Sequence, residues 1–498
     1  MSTKYPGGFI TKTVQTPTSN YETSRAPGIW TLDQAMQYKK AGLWPTAGNP
    51  ANFISSTDNI NTGGSNGPIN FSQAAFDSSN NIYVSGTTRG NNSSNPNPMV
   101  AKFIGGAPVW YRYLNFATKS NLAGMGGVAT DPSGNVYICG YGDTGGSNVT
   151  GAFIQKLDAT TGATVWKNGH QAACNDFIYG YFSLVVDSSG NSYALANGPN
   201  SYGVVVVKYN SSGSLVWSDR ITNGTNPRYG GSQLAVDSSG NLYVAGAIYT
   251  VSNPQFTYPF LIKYNSSGVK QWMKAYNNAT TTLATGLYVA VNSSGTPYCA
   301  TQRGSTGGVM FFTVNPATGA VVSQANFNQA GSNQPGALSI DQSNGDVYMA
   351  SQFIGGGVGY PGVLKLNSSL AVQWGRNLYS GNGSNFSWGS IVSAVPAFSN
   401  RYIMAGVMNE RDNIATLCTF PSDGSLTGSY GPINIQNYWD ITYTYASFST
   451  TTFTDAISLA TPSGSNVGGT ATNLFSQTST IPDTSALTWL INGYTLVP

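Results

Sequence analysis

Residues 235–246 read Ala-Val-Asp-Ser-Ser-Gly-Asn-Leu-Tyr-Val-Ala-Gly, and this stretch decides the fold of the chain. Variants of it occur seven times, 50 to 56 residues apart, and each contains a tyrosine. These tyrosines are Tyr83, Tyr137, Tyr193, Tyr243, Tyr298, Tyr348 and Tyr402. A repeat at this period indicates that one supersecondary unit is copied along the chain.

Each copy encodes two strands joined by a tight turn. Apolar and small residues lead to an aspartate, the chain turns through Ser-Ser-Gly-Asn, and a second apolar strand contains the tyrosine. Asp237 suits the first turn position because its carboxylate accepts hydrogen bonds from nearby backbone N–H groups. Gly240 suits the left-handed position of the same turn.

The second half of each unit adds two more strands. One contains a lysine, as in Phe260–Tyr264, and the next contains a tryptophan after another Asn/Ser/Gly turn. The tryptophans at this position are Trp110, Trp166, Trp217, Trp272 and Trp374. Repeated four-stranded units are typical of β-propeller blades. We therefore expect an all-β chain with a seven-bladed β-propeller over residues 51–430.

These repeats resemble the SBBP β-propeller repeat. The Asp-Ser-Ser-Gly-Asn element at residues 187–191 and Lys156-Leu157-Asp158 followed by Trp166 match its consensus, and the resemblance covers residues 66–430. It implies the propeller fold. It implies almost nothing about activity, because propellers support enzymes, scaffolds and binding modules alike.

Composition excludes several function classes. Only 8% of the residues are charged and the net charge is +3, so the chain has no basic stripe for nucleic acid. No apolar run is long enough to insert into a membrane, and the N-terminal residues lack the pattern of a secretion signal. The four cysteines, Cys139, Cys174, Cys299 and Cys418, have no paired spacing. We expect buried free thiols, without disulfides or zinc.

Residues 1–50 are expected to form an N-terminal docking segment. Thr31 and Gln34 form a capping box for a short helix over residues 32–41, which Gly42 ends. A helix of this length needs a docking surface, either on the propeller or on a partner.

The same segment resembles one found in structural proteins of tailed bacteriophages, notably marine and cyanobacterial ones. The residues that carry the resemblance are 26–35, with Trp30-Thr31-Leu32, and Gly42-Leu43-Trp44-Pro45. It implies docking to other virion proteins, of the tail or the capsid, through residues 1–50. The candidate docking residues are Trp30, Leu32, Met36, Leu43 and Trp44. The alternative is that Trp30 and Trp44 only pack against the side of the propeller.

Residues 431–498 leave the repeat and are rich in Thr and Ser. Ile441, Tyr443 and Tyr445 alternate as on a half-buried strand, and residues 489–496 predict a hairpin around Asn492-Gly493. We expect a small β-rich C-terminal appendage. Whether its first strand also helps to close the ring stays open.

Catalytic chemistry has few candidates. His170 has no nucleophile motif near it, and the only glutamates are Glu22 and Glu410, at opposite ends of the chain. Aspartates in the turns are expected to serve the turns rather than calcium, since one carboxylate per turn supplies too little charge. The sequence therefore predicts a chain without catalytic residues, metal or cofactor.

The recurring lysines and the loop aromatics are the remaining candidates for binding. Lysines recur at Lys102, Lys156, Lys208, Lys263 and Lys365. They either form a cationic ring for an anion or lie across the neighbouring blade with the ammonium at solvent or a carbonyl, which the pattern favours. Aromatic residues between the strands offer a surface for a host glycan or protein. The residues chosen for this surface are Tyr202, Tyr229, Tyr258, Tyr360 and Trp388. The alternative for these rings is local packing within long loops.

Together these features predict a non-enzymatic virion structural protein of a tailed bacteriophage, on the particle surface. Its expected function is host attachment as a tail-fibre or tail-tip protein. A capsid-decorating fibre or surface protein and a polysaccharide-degrading propeller enzyme are the alternatives. The oligomeric state would be set by the particle.

Overall fold

The chain is an all-β propeller. The computed structural model describes residues 4–5, 8–9, 52–57, 70–88, 97–104, 107–114, 124–143, 150–171, 181–197, 203–222, 228–249, 257–277, 286–303, 308–328, 333–355, 358–380, 391–397, 401–408, 414–425, 428–430, 443–447, 451–452, 458–460, 477–478, 484–486 and 493–497. Two short strands, β1 (Lys4–Tyr5) and β2 (Gly8–Phe9), pair near the N-terminus. A third, β3 (Asn52–Thr57), follows.

Six blades each consist of four strands that are consecutive in the chain and pair antiparallel. Blades 1 and 2 contain β4 (Asn70–Phe76), β5 (Ile82–Thr88), β6 (Asn97–Ile104), β7 (Ala107–Leu114), and β8 (Gly124–Thr130), β9 (Val136–Asp143), β10 (Thr150–Leu157), β11 (Thr164–Gln171). Blades 3 and 4 contain β12 (Tyr181–Val186), β13 (Ser192–Asn197), β14 (Gly203–Tyr209), β15 (Leu215–Thr222), and β16 (Arg228–Val236), β17 (Leu242–Tyr249), β18 (Thr257–Tyr264), β19 (Lys270–Asn277). Blades 5 and 6 contain β20 (Tyr288–Val291), β21 (Pro297–Arg303), β22 (Gly308–Val314), β23 (Val321–Asn328), and β24 (Asn333–Ile340), β25 (Val347–Gly355), β26 (Val358–Leu366), β27 (Val372–Ser380).

A further sheet is assembled from distant parts of the chain, and we call it the composite sheet. It contains β28 (Ile391–Ala397), β29 (Arg401–Met408) and β30 (Ile414–Pro421), followed in the sheet by β3 and then by β37 (Gly493–Val497). The seventh repeat of the sequence corresponds to its first three strands. A β-propeller is confirmed with six four-stranded blades, whereas the predicted seventh blade is not confirmed. The helix expected at residues 32–41 lies outside the described residues.

The blades bury their middle strands on both faces. In blade 1, Ile82, Tyr83 and Val84 on the second strand are each at most 1% exposed. Such strands carry near-continuous apolar runs because each face packs on a neighbouring blade. The outer strands alternate instead: Val109 is 49% exposed while the adjacent Trp110 is buried.

The first strands of the blades stand side by side around the axis. Each contacts the first strand of the next blade, and β28 of the composite sheet contacts both β24 of blade 6 and β4 of blade 1. Gln233 connects three blades near the axis: its Oε1 accepts hydrogen bonds from the amides of Val289 and Leu338, both at 3.3 Å, and its Nε2 donates to the Leu338 carbonyl at 2.9 Å. A single side chain thereby links the first strands of blades 4, 5 and 6.

The C-terminal strands form a belt around the outer edges of the blades. The belt comprises β31 (Gly428–Tyr430), β32 (Tyr443–Ser447), β33 (Thr451–Thr452), β34 (Ser458–Ala460), β35 (Gln477–Thr478), β36 (Thr484–Ala486) and β37. Following the chain from β32, these strands pair with the outer strands of blades 6, 5, 4, 2 and 1 and then with β3. The belt therefore runs opposite to the order of the blades.

The described strands of residues 431–498, which were expected to form a small β-rich appendage, belong to this belt. The strand predicted around Tyr443 and Tyr445 is confirmed, but it pairs with β27 of blade 6. Of the hairpin predicted at residues 489–496 only the second half is described, as β37, which pairs with β3; residues 489–492 lie outside the described residues. Covering exposed strand edges is a common way for β-proteins to prevent unwanted pairing, and that physical need explains the outcome. In the described part of the chain no helix is long and apolar enough to cross a membrane.

Candidate functional site

The propeller has two different faces. The turn face is the side that is formed by the tight turns after the first and third strands of the blades. These turns close with short backbone hydrogen bonds, such as Gly240 N to Asp237 O at 2.9 Å and Gly268 N to Asn265 O at 2.9 Å. We call loop face the opposite side, where the second strand of a blade ends and the third begins. Its connections lie largely outside the described residues.

The repeated aspartates hold the turn face together. In blade 1, Asp77 Oδ1 accepts hydrogen bonds from the backbone amides of Ser79 and Asn81 at 2.9 and 3.0 Å. Its Oδ2 accepts hydrogen bonds from Asn81 Nδ2 at 2.7 Å and from the Tyr83 hydroxyl at 2.9 Å. Burial and this contact with Asp77 raise the pKa of Tyr83 well above its usual value. Both carboxylate oxygens are engaged by the turn, so the expected structural role of this aspartate is confirmed.

The turns also bind to the next blade. The Tyr137 hydroxyl of blade 2 donates to the Gly190 carbonyl in the turn of blade 3 at 3.1 Å, and Gly190 has a φ of 76°. Glycine fits here because a left-handed backbone costs it little. Neighbouring turns are thereby linked around the face.

The recurring lysines act between blades. Four of them donate to a carbonyl in the third-strand turn of the next blade or, for Lys365, of the composite sheet, at 2.8 to 3.0 Å. The pairs are Lys102 to Ala159, Lys208 to Ser266, Lys263 to Pro316 and Lys365 to Ser422. Each ammonium also lies 5.0 to 5.5 Å from the ring centre of the repeat tyrosine of its own blade. The prediction that the ammonium reaches a carbonyl is confirmed.

Lysine electrostatics follow from local burial. Desolvation lowers the pKa of Lys208 from its usual value. Desolvation also acts on Lys365, but Asp346 at 2.7 Å and Tyr348 reverse its effect, so that the pKa of Lys365 is raised. The Lys365 ammonium lies between a carbonyl, a ring and a carboxylate, whereas Lys102, Lys208 and Lys263 each have a carbonyl and a ring. These lysines therefore do not offer a free cationic ring.

Blades 3 and 4 meet through a different contact. Asp219 on the outer strand of blade 3 is 4% exposed and accepts a hydrogen bond from the Tyr264 hydroxyl of blade 4 at 2.8 Å. Lys270 Nζ lies 3.9 Å from the same carboxylate. Burial, and secondarily Asp219, raise the pKa of Tyr264. In blades 1 and 6 the equivalent residue is an arginine that donates to the neighbouring turn, so Asp219 is a local exception.

The catalytic and metal candidates remain scattered in the fold. His170 belongs to the outer strand of blade 2, where its backbone pairs with Thr478 of the belt. Among the residues that the structure describes, no three His, Cys, Asp or Glu side chains are grouped to hold a metal ion. Cys139, Cys299 and Cys418 are free and buried, and burial raises the pKa of each thiol.

Tyr249 and Tyr258 lie near the loop-face end of blade 4 and point to opposite faces of its sheet. Tyr258 is half-buried and packs against the core between blades 3 and 4. Tyr249 ends the second strand of blade 4 and is also half-buried, with its ring beside Gly230. Burial, and secondarily Tyr249, raise the pKa of Tyr288 in blade 5. Half-exposed tyrosine rings supply contact area and a polar hydroxyl, and therefore suit ligand contact.

The sequence prediction covers these tyrosines only in part. It includes Tyr258 but not Tyr249 and Tyr288, which both lie in strands. Tyr229 was expected in an exposed loop, but it lies in β16, is 0% exposed and packs edge-on against Phe260 with ring centres 6.1 Å apart. Its ring is therefore part of the core.

The structure does not describe the side chains of the other predicted site residues. Tyr202 and Trp388 lie outside the described residues, as do the docking residues Trp30, Leu32, Met36, Leu43 and Trp44. For Tyr360 the structure describes only the backbone, in β26. Their binding and docking roles stay predictions.

Comparison with known proteins finds no matching family model and no matching curated protein. Solved structures do match. The polysaccharide lyase Uly1 has a TM-score of 0.40 at 11% identity, over 69% of this chain and 88% of that one. The α-L-arabinofuranosidase from Fusarium graminearum has a TM-score of 0.41 at 12% identity, over 64% and 97%. The xyloglucanase from Xanthomonas campestris has a TM-score of 0.39 at 14% identity, over 69% and 51%. Similarity at this level carries no conclusion about the activity of this chain.

Proposed function

We propose that this chain is a non-enzymatic virion structural protein of a tailed bacteriophage, a tail-fibre or tail-tip protein for host attachment. Residues 1–50 dock it to other virion proteins at the particle surface, and the loop face contacts a host glycan or protein. The composite sheet acts as the seventh blade, since β28 contacts the first strands of both blade 6 and blade 1.

One observation carries this proposal: the polarity of the composite sheet. Phe53 pairs with Thr419, near the turn-face end of β30, whereas Thr57 pairs with Ala415 at the loop-face end. The chain that precedes Asn52 therefore joins the propeller at the turn face. Tyr249 and Tyr258 of blade 4 lie near the opposite face. A docking segment on one face leaves the other free to contact a host.

The turn face also suits a position against other proteins. Many of its exposed residues are short and uncharged, among them Ser78, Ser79, Ser188 and Ser189, while Asp423 is an exposed charged residue. Small polar side chains lose little conformational entropy on contact. A surface made mostly of small uncharged side chains places few demands on the charge of its neighbour.

The test is a chain that lacks residues 1–50, compared with a Tyr258→Ser variant. The truncated chain should fold but fail to enter particles, and the Tyr258→Ser chain should enter particles but reduce adsorption to host cells. Normal incorporation of the truncated chain would refute the docking half. Shortened products after incubation of the purified protein with host envelope glycans would instead establish the depolymerase alternative.

A further inference from the structure

We propose that β37 is a clasp that locks β3 into the composite sheet, so that the chain preceding Asn52 is held by two strands and withstands a pull. The clasp depends only on the pairing of three strands. It therefore holds or fails independently of the particle and the host.

The central position of β3 is the first observation. On one side Phe53 and Ser55 pair with Thr419 and Leu417 of β30, and on the other side the same residues pair with Leu496 and Tyr494 of β37. Without β37, β3 would be an edge strand with a single neighbour. A six-residue edge strand is weakly held, and its unpaired backbone groups invite exchange with other strands.

The second observation is how β3 reaches the sheet. Its partner Thr419 lies more than 350 residues further along the chain, so their pairing closes a very long loop and gains little from local contacts. Placing β3 in the composite sheet therefore carries a large loss of chain entropy. A second neighbouring strand adds backbone hydrogen bonds that offset this loss.

The direction of the strands decides what the clasp resists. Hydrogen bonds in antiparallel pairs are perpendicular to the strands. A pull on the chain preceding Asn52 along β3 therefore loads all bonds to β30 and β37 together, instead of breaking them one after another. The belt adds to this, because the chain that ends in β37 is also paired with blades 1, 2, 4, 5 and 6.

Hydrogen exchange tests the clasp on the full chain against a chain that ends at Asn492. The clasp predicts that the amides of residues 52–57 exchange at least about tenfold faster in the shortened chain. Amides in the middle strands of blades 2 and 3, such as Ile138 and Leu195, serve as the internal control and should keep their rates. Unchanged exchange at residues 52–57 would overturn the proposal.

A cross-link keeps the proposal falsifiable if the shortened chain fails to fold. Ser55→Cys with Tyr494→Cys places two thiols directly opposite each other, within disulfide reach. Ser55→Cys with Thr495→Cys is the matched control, because successive residues point to opposite faces of a strand. Oxidation should cross-link only the first pair and should raise the force needed to extract β3 in single-molecule pulling. Equal cross-linking of both pairs, or an unchanged extraction force, would contradict it.

Discussion

Lys102 of blade 1 donates a hydrogen bond to the carbonyl of Ala159 in blade 2 at 2.8 Å, while Trp110 Nε1 donates to the same oxygen at 3.3 Å. The same carbonyl is therefore shared by a cation and an indole from the preceding blade. Lysine and tryptophan pairs reach one carbonyl again at Pro316 and at Ser422. This contact explains why the two residue types recur together in the sequence.

Removal of the Lys102 ammonium should destabilise the junction of blades 1 and 2. Lys102→Met keeps most of the stem but loses a charged hydrogen bond, which costs about 2 kcal/mol of unfolding free energy. The measurement is denaturant unfolding followed by tryptophan fluorescence. Lys167→Met, at an exposed lysine of the outer strand of blade 2, is the control and should change little. Equal stability of the two variants would show that the inter-blade bond contributes nothing.

The turn aspartates should differ in importance from blade to blade. Asp187 Oδ2 accepts both Asn191 Nδ2 at 2.8 Å and the Tyr193 hydroxyl at 3.0 Å. Asp187→Asn puts a donor where two donors meet and should cost about 2 kcal/mol.

Asp237→Asn is the matched comparison for that variant. Asp237 Oδ2 accepts Asn241 Nδ2 at 2.9 Å, but the Tyr243 hydroxyl has no hydrogen-bond partner among the described residues. The loss of stability should therefore be smaller than for Asp187→Asn. Thermal unfolding of both variants checks the order, and the reverse order would contradict the assigned networks.

The sequence predicts the repeated part of the fold well and the belt poorly. Turns such as 237–241 are local, so their residues specify them directly. The strands of the belt, such as Ser458–Ala460, are two to five residues long and pair with residues far away in sequence. The sequence of such a short strand does not indicate which other strand it will pair with. Tyr229 was expected in a loop, but it lies in an inner strand that has a β-bulge two residues further on.

Buried tyrosines should make the protein sensitive to alkaline pH. Burial raises the pKa of Tyr83, Tyr137 and Tyr193 above the usual value of about 10. The unfolded chain loses these protons first as pH rises. The contribution of these tyrosines to the free energy of unfolding is therefore fully present below about pH 10 and decreases above it. Tyrosinate absorbance and circular dichroism should change together. Titration of most tyrosines near pH 10 with the fold intact would refute their burial.

Gly126, close to the propeller axis, should not tolerate replacement by a residue with a side chain. A Cβ atom there would lie 1.9 Å from the Tyr181 carbonyl oxygen of blade 3, whereas at Gly230 it would meet only the Tyr249 ring, at 3.1 Å. Gly126→Ala should therefore lower the melting temperature clearly, and Gly230→Ala should lower it less because the ring can shift. Calorimetry of both variants measures these melting temperatures. An unchanged melting temperature for Gly126→Ala would mean that blades 2 and 3 lie further apart than described.

The described cysteines should be unreactive in the folded protein. Cys139, Cys299 and Cys418 are at most 1% exposed, and a thiol that keeps its proton is a weak nucleophile. Alkylation followed by peptide mass spectrometry should modify these three positions only after denaturant is added. Rapid modification of Cys418 in native protein would indicate that the composite sheet opens.

An electron cryomicroscopy map of the isolated protein tests the central claim most directly. The account predicts that Asn52–Thr57 lies between Ile414–Pro421 and Gly493–Val497, and that short strands of residues 443–486 lie on the outer edges of the blades. A map in which residues 431–498 form a body apart from the propeller would contradict it.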